Sequence, residues 1–256
     1  MVLTDTHSHI YSREFTEDIS QVIERALSNG VKNVFLQTTE EESIEPMLQI
    51  YERNPQIFSL FVGLYPGSVT FNVENQLSRI YPYLKDNRIK GIGEIGLDLY
   101  WDKDYLEQQV FAFETQMQWS KENNDIPVSI HCRKAFREIF SCFNHLNYQS
   151  YNGVFHCFSG DIRQAEKVIE LGFMLGIGGV VTFKNAHMAE VVKNIGLQHI
   201  VLETDAPYLA PEPFRGKRNE PSFIRHIAER VAQIKEISID EVAHITTQNA
   251  MKLLNV

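Results

Sequence analysis

The chain has 256 residues, 43% of them hydrophobic, a net charge of −9 and three cysteines. This composition excludes a disordered or disulfide-rich class, and the acidic balance argues against a protein that coats duplex nucleic acid, because such affinity rests on neutralising many phosphates. The odd cysteine count and the lack of a basic, apolar leader lead us to expect reduced thiols and a cytoplasmic protein, and the longest mostly apolar stretch, FMLGIGGVVTF, is too short and glycine-rich to span a bilayer.

The chain opens on VLTDT from Val2, an apolar run that passes straight into His7-Ser-His9. Residues two apart on a strand share a face, so these two imidazoles can aim at one metal ion, although a solvated strand end would read the same. The helical pattern EDISQVIERALSNG follows, stopped by Gly30. Next come VKNVFLQ from Val31, the acidic Glu40-Glu41-Glu42 of a solvated helix start, and IFSLFVG from Ile57. A helix over 73–84 leads to IKGIGEI from Ile89, which carries Glu94 between glycines. After a helix over 105–123, PVSIH from Pro127 ends in His131. A helix over 135–146 precedes GVFH from Gly153, which ends in His156. Helix 162–171, the run FMLGIG from Phe173 and helix 186–195 lead to HIVLET from His199, followed by Asp205. Helices over 222–234 and 238–254 close the chain, the second opening on the capping box Ser238-Ile-Asp-Glu241.

Short, continuously apolar runs suit parallel strands covered on both faces. Eight of them alternating with helices predict one (β/α)8 TIM barrel domain over 1–256 with C-terminal helices. A doubly wound open sheet has the same local pattern and is the alternative.

A barrel places its active site at the C-terminal ends of its strands, where His7, His9, Tyr65, Glu94, His131, His156, Glu203 and Asp205 fall. His145, His187, His199, His226 and His244 fall in helices or at strand starts and read as surface or capping residues. Four imidazoles and two carboxylates suffice for two divalent ions, with His7, His9 and Asp205 on one, His131 and His156 on the other, and Glu94 bridging. Two ions about 3.5–4 Å apart can clamp the attacking and leaving oxygens and acidify a bound water, and Asp205 is the candidate general base. Nitrogen-rich ligation favours zinc, manganese or iron over magnesium, a preference that availability in the cell can override. Plainer readings are a salt bridge for Glu94, backbone-bonded core histidines for His131 and His156, and an N-cap for Asp205. Asp5 and Glu203 share faces with His7 and Asp205 and read as groups that orient them. Cys132 and Cys157 alternate away from the histidines before them and read as packing. Arg133 shares a face with His131 and could grip a phosphate or carboxylate, or close a rim salt bridge. In APEPFRGKRNEP, Arg215, Lys217 and Arg218 could meet a polyanion or form a solvated loop. Tyr100 and Trp101 could stack a base or form an aromatic lid.

In chain order, DTHSH, GEIGLD, HCR, HCFSG, ETDAPYLAP and RGKRNEP resemble the TatD family of metal-dependent hydrolases, from Asp5 to about Pro221. The resemblance implies an amidohydrolase-like (β/α)8 barrel and a deoxyribonuclease, often a 3′-to-5′ exonuclease on single-stranded DNA. It implies His7, His9, Glu94, His131, His156 and Asp205 as ligands of two divalent ions, zinc, manganese or magnesium. One position departs: members usually read G-x-H-P after the third strand, and GLYP here puts Tyr65 where the histidine would be. Tyrosine can donate a hydrogen bond to a phosphate oxygen, but it is neutral and titrates near ~10. The change therefore bears on substrate preference and rate more than on reaction class. Two other readings stay open: metal-dependent ester or amide hydrolysis, for instance of D-aminoacyl-tRNA, and a non-catalytic metal-binding module.

Overall fold

Each apolar run becomes a strand of one parallel sheet. The computed structural model describes residues 1–101, 103–184 and 187–255. The strands are β1 (Leu3–Ser8), β2 (Val31–Gln37), β3 (Phe58–Val62), β4 (Ile89–Asp98), β5 (Val128–Arg133), β6 (Gly153–Phe155), β7 (Met174–Ile177) and β8 (Ile200–Leu202), paired in sequential order. A doubly wound sheet would reverse its order at a switch point, and this one does not. Instead β1 returns to the end of β8: Ser8 bridges Ala206, the His9 N–H donates to the Ala206 carbonyl at 2.7 Å, and the Asp205 N–H donates to the His7 carbonyl at 2.9 Å. The sheet is thus a nearly closed (β/α)8 barrel, and its seam is stitched by three of the predicted site residues themselves.

The helices are α1 (Ile19–Ser28), α2 (Ile44–Arg53), α3 (Val73–Ile80), α4 (Leu106–Glu122), α5 (Phe136–Leu146), α6 (Ile162–Glu170), α7 (Met188–Asn194), α8 (Ile224–Lys235) and α9 (Ile239–Leu253). The sequence reading placed a helix start at the acidic run but no body for α2, because Pro46 interrupts its pattern. Pro46 lies in the first turn, where its missing N–H has no intrahelical partner to lose. The helix expected over 73–84 stops at Ile80 and continues as a 3₁₀ turn, Tyr81–Lys85. Pro82 disfavours the α conformation for Tyr81 and removes a donor. The helix expected over 186–195 is α7, with Ala186 outside the described residues. The capping box at α9 forms in part, the Ser238 hydroxyl accepting from the Glu241 N–H at 3.2 Å.

Alternation along the strands divides the apolar residues between two clusters. The larger one packs outward-facing Leu36, Leu60, Ile130, Leu175 and Leu202 against helical residues such as Val22, Met47, Phe113 and Ile139. The smaller joins Phe35, Phe61, Val154 and Val201 to Ala250 and Leu253 of α9, with the two phenylalanine rings stacked at 5.3 Å. Two residues after Phe35, Val154 and Val201 come Gln37, His156 and Glu203, which share their faces. The barrel interior therefore has an apolar floor under a polar layer. None of the described helices is long and apolar enough to cross a membrane.

Candidate metal centre

β1 is extended, so Asp5 and His7 face inward together and His9 follows just past the strand end. The His7 Nδ1 lies 3.1 Å from the Ser129 hydroxyl of β5, and the His9 Nδ1 lies 2.9 Å from the Gln37 carbonyl of β2. A carbonyl only accepts, so His9 carries its proton on Nδ1 and turns the lone pair of Nε2 inward. The two Nε2 atoms meet 3.1 Å apart.

Glu94, buried in β4, stands between this pair and the histidines of β5 and β6. Its Oε1 lies 2.9 Å from both the His131 Nδ1 and the His156 Nε2, and its Oε2 lies 3.5 Å from the Nε2 atoms of His7 and His9. The Asp205 Oδ1 lies 3.8 Å from His7 and 3.6 Å from His9. All six residues expected to ligate metal therefore converge. Three overlapping triads, His7–His9–Glu94, His7–His156–Asp205 and Glu94–His131–His156, each have donor atoms within 4.8 Å of one another. His156 belongs to two of them, and its ring stacks on that of His7 at 3.7 Å. His156 is thus closer to the His7 side than the sequence-based partition between two ions supposed.

Electrostatics favour a cation here. Burial raises the Glu94 carboxyl, but the imidazoles of His156, His131 and His7 outweigh it and hold the group well below the usual carboxylate range. Burial lowers His156, yet the Glu94 and Glu203 carboxylates hold it well above an ordinary imidazole. Burial and the neighbouring His156 charge push His7 well down. Burial lifts Asp205 to about 6 against the pull of His156 and His9, and lifts Asp5 to about 8 despite its bonds to Thr204 and His7. A divalent ion at this point would balance these carboxylates. The His156 Nδ1 and Glu203 Oε2 are buried without a hydrogen-bond partner among the described residues, the former 3.6 Å from the Glu203 Oε1. A donor set of imidazole nitrogens and carboxylate oxygens fits a transition-metal ion.

Asp5 accepts from the Thr204 N–H at 2.8 Å, the Thr204 hydroxyl at 2.5 Å and the His7 N–H at 3.3 Å. Glu203 accepts from the Cys157 N–H at 2.5 Å, and a side chain on Gly176 would collide with its Oε2. Both carboxylates sit behind the histidines and bond backbone beside them.

The centre lies at the base of a cavity of about 550 Å³ lined by residues including Tyr65, Trp101, Arg133, Val180, Tyr208 and Leu209. The Arg133 guanidinium stacks 4.1 Å over Tyr100 and 5.3 Å from Trp101. The Tyr65 hydroxyl faces the Asp98 Oδ2 at 3.3 Å. Cys132 and Cys157 also border the cavity, which corrects the reading that alternation carries them away. β6 ends at Phe155, and Cys157 then turns to a φ of 43°. Arg215 is outside the lining and stacks over Phe183 at 4.3 Å. Arg218 is engaged by Asp18 at 2.6 Å and by the Glu14 carbonyl. Sequence reasoning passed over Asp98, Ser129, Gln37 and Tyr11 as partners of the histidines. Asp98 had a signal, since it follows Glu94 by an even number of residues in GEIGLD.

A family model described as TatD related DNase matches residues 4–255. The metal-dependent hydrolase YabD of Bacillus subtilis (strain 168), described as uncharacterized, is 35% identical over 256 residues, covering 100% of both chains. YcfH of Escherichia coli (strain K12), described in the same words, is 31% identical and covers 100% of this chain and 97% of its own. Among solved structures, YjjV, a TatD homolog from E. coli K12, superposes with a TM-score of 0.91 at 28% identity, over 99% of this chain and 98% of that one. A TatD family hydrolase from Entamoeba histolytica has the same fold, with a TM-score of 0.85 at 22% identity over 99% and 98% of the two chains.

Proposed function

Since the chain belongs to the TatD family of metal-dependent hydrolases, we propose that it is a two-metal deoxyribonuclease acting as a 3′-to-5′ exonuclease on single-stranded DNA, with the whole barrel as one domain. The observation that carries this reading is Glu94, whose two oxygens face two different pairs of histidines. His7, His9 and Asp205 would hold one divalent ion and His131 and His156 the other, with Glu94 shared. Such a pair supplies a water activated at neutral pH and positive charge for the pentavalent phosphorus. The protein does the rest.

Asp205 turns Oδ1 toward His7 and His9, which leaves Oδ2 to take the proton from the attacking water. Arg133 borders the cavity and presents a planar donor fork suited to a phosphate. Tyr65 stands on the same wall as a neutral hydroxyl, and exposed Trp101 offers a face on which a base can stack. Arg215, seated on Phe183, would meet the strand farther out. A cavity of about 550 Å³ has room for the end of one strand.

The apolar wall of Val180, Tyr208 and Leu209 favours a second reading, deacylation of an aminoacyl ester such as D-aminoacyl-tRNA. The test is one assay series with defined metals, comparing 5′- and 3′-labelled single-stranded DNA with D-aminoacyl-tRNA. We expect metal-dependent release of the 3′ label first, abolished by chelator. Cleavage that survives chelation, or hydrolysis of the aminoacyl ester alone, would defeat the nuclease reading.

A further inference from the structure

We infer that Asp98 is a positioning residue that fixes the tautomer of His131, so that this histidine offers Nδ1 to the metal while the other nitrogen stays protonated. The inference rests on the two-ion reading above and assigns a role to a carboxylate outside the ligand set.

β4 runs on past Glu94 to Asp98, and its register with β5 pairs Gly96 with His131 and Asp98 with Arg133. Gly96 makes that approach possible, because at its φ of 136° a side chain would strike the His131 carbonyl. The carboxylate it delivers is almost fully buried and is held at both oxygens. Oδ1 accepts from the Tyr100 N–H at 2.8 Å and the Trp101 N–H at 3.1 Å. The Asp98 backbone is gripped by Gln109, whose Oε1 takes the Asp98 N–H at 2.9 Å while its Nε2 donates to the Asp98 carbonyl at 3.3 Å. A carboxylate tethered this way cannot swing off the ring.

Oδ2 faces the His131 Nε2 at 3.0 Å and the Tyr65 hydroxyl at 3.3 Å. A carboxylate oxygen only accepts, so both neighbours donate to it and the ring proton resides on Nε2. The free lone pair of Nδ1 then points to the centre, 2.9 Å from the Glu94 Oε1 and 3.3 Å from the His156 Nε2. His9 is held in the opposite sense, Nδ1 outward on a carbonyl and Nε2 inward. The two histidines thus present different nitrogens because different acceptors stand behind them. Tyr65 meets the His131 ring edge-on at 5.0 Å and turns its own proton to the same Asp98 oxygen.

Asp98→Asn tests this with almost no change in shape. The amide can keep its oxygen on the two backbone N–H groups, but it then presents NH₂ to the His131 Nε2, which must accept, and the proton moves to Nδ1. A reversed tautomer of this kind leaves geometry intact and disables the histidine, and partners behind ligands typically matter by 10–100-fold in metal affinity. The experiment uses full-length chain, zinc titration, and proton–nitrogen correlation spectra of the ¹⁵N-labelled histidine rings in zinc-loaded protein. Wild type should show His131 protonated on Nε2. Asp98→Asn should keep one tight zinc, weaken the second at least about 10-fold and lose the Nε2–H signature. An Nδ1–H tautomer in the wild type would overturn the inference even if the variant failed to fold. So would a variant with unaltered tautomer or two zinc ions as tight as in the wild type. A wild type that takes up no zinc would instead defeat the two-ion reading and carry the inference with it.

Discussion

A carboxylate inside a strand is costly to bury alone, yet Glu94 is 4% exposed and surrounded by four imidazoles. Tyr65 is the residue at which this chain departs from the family pattern. Its hydroxyl is buried enough, and near enough to Glu94 and Asp98, to be held well above an ordinary phenol, so at neutral pH it keeps its proton. Tyr65→His would restore a group able to shuttle a proton or carry charge beside the phosphate. We expect its rate on single-stranded DNA to rise by about 3- to 10-fold, well short of the roughly 10²–10⁴-fold of a fully engaged general acid. An unchanged or lower rate would show that the tyrosine serves a substrate of its own. The spacing of His7 and His9 made them legible, because strand alternation is local and needs no partner. Ser129 and Gln37 were not legible as histidine partners, since each acts across a strand boundary and depends on register that no local pattern encodes, whereas the even spacing of Asp98 from Glu94 marked its face but not the ring it meets.

At the scale of elements, most strand ends could be located because the apolar run stops at a polar residue, while IFSLFVG and FMLGIG run on into glycine. The elements the reading left out or ran too long trace to proline, at Pro46 in α2 and Pro82 after α3. The loop after β8 is tied to α1 by two ion pairs, Arg218 to Asp18 and Arg25 to Glu220, each 2.6 Å at the shortest. The Arg218 hydrogen bond, with help from Arg25 and against slight burial, holds the Asp18 carboxyl below its usual value of 3.8. A depressed carboxylate stabilises the fold above the unfolded pKa, and that contribution disappears as pH falls through the folded value. Asp18→Asn should therefore destabilise the protein by about 0.5–1 kcal/mol at pH 7, the scale of a half-exposed pair, and by nothing once Asp18 is protonated in both states. Urea unfolding of wild type and variant at pH 7 and at successively lower pH checks this, the difference shrinking as pH falls below 3.8. A difference that persists in acid would mean the amide perturbs packing instead of charge.

For the whole molecule, eight apolar runs were enough to name the alternation but not its closure, because an open sheet has the same period. Closure is made by backbone bonds between His7, His9, Asp205 and Ala206, so the step that completes the barrel also brings the first and last candidate ligands together. The apolar floor from Phe35 to Leu253 and the polar layer over it then confine charge to one end of the barrel. The central claim, that this end holds two ions joined by Glu94, is tested most directly by counting metal. Wild type and Glu94→Ala would be loaded with zinc, passed through a desalting column and analysed by mass spectrometry of the bound metal. We predict about two equivalents per wild-type chain, the number a two-metal hydrolase needs, and loss of most of that metal in Glu94→Ala. Full retention of zinc by Glu94→Ala would contradict the bridging role.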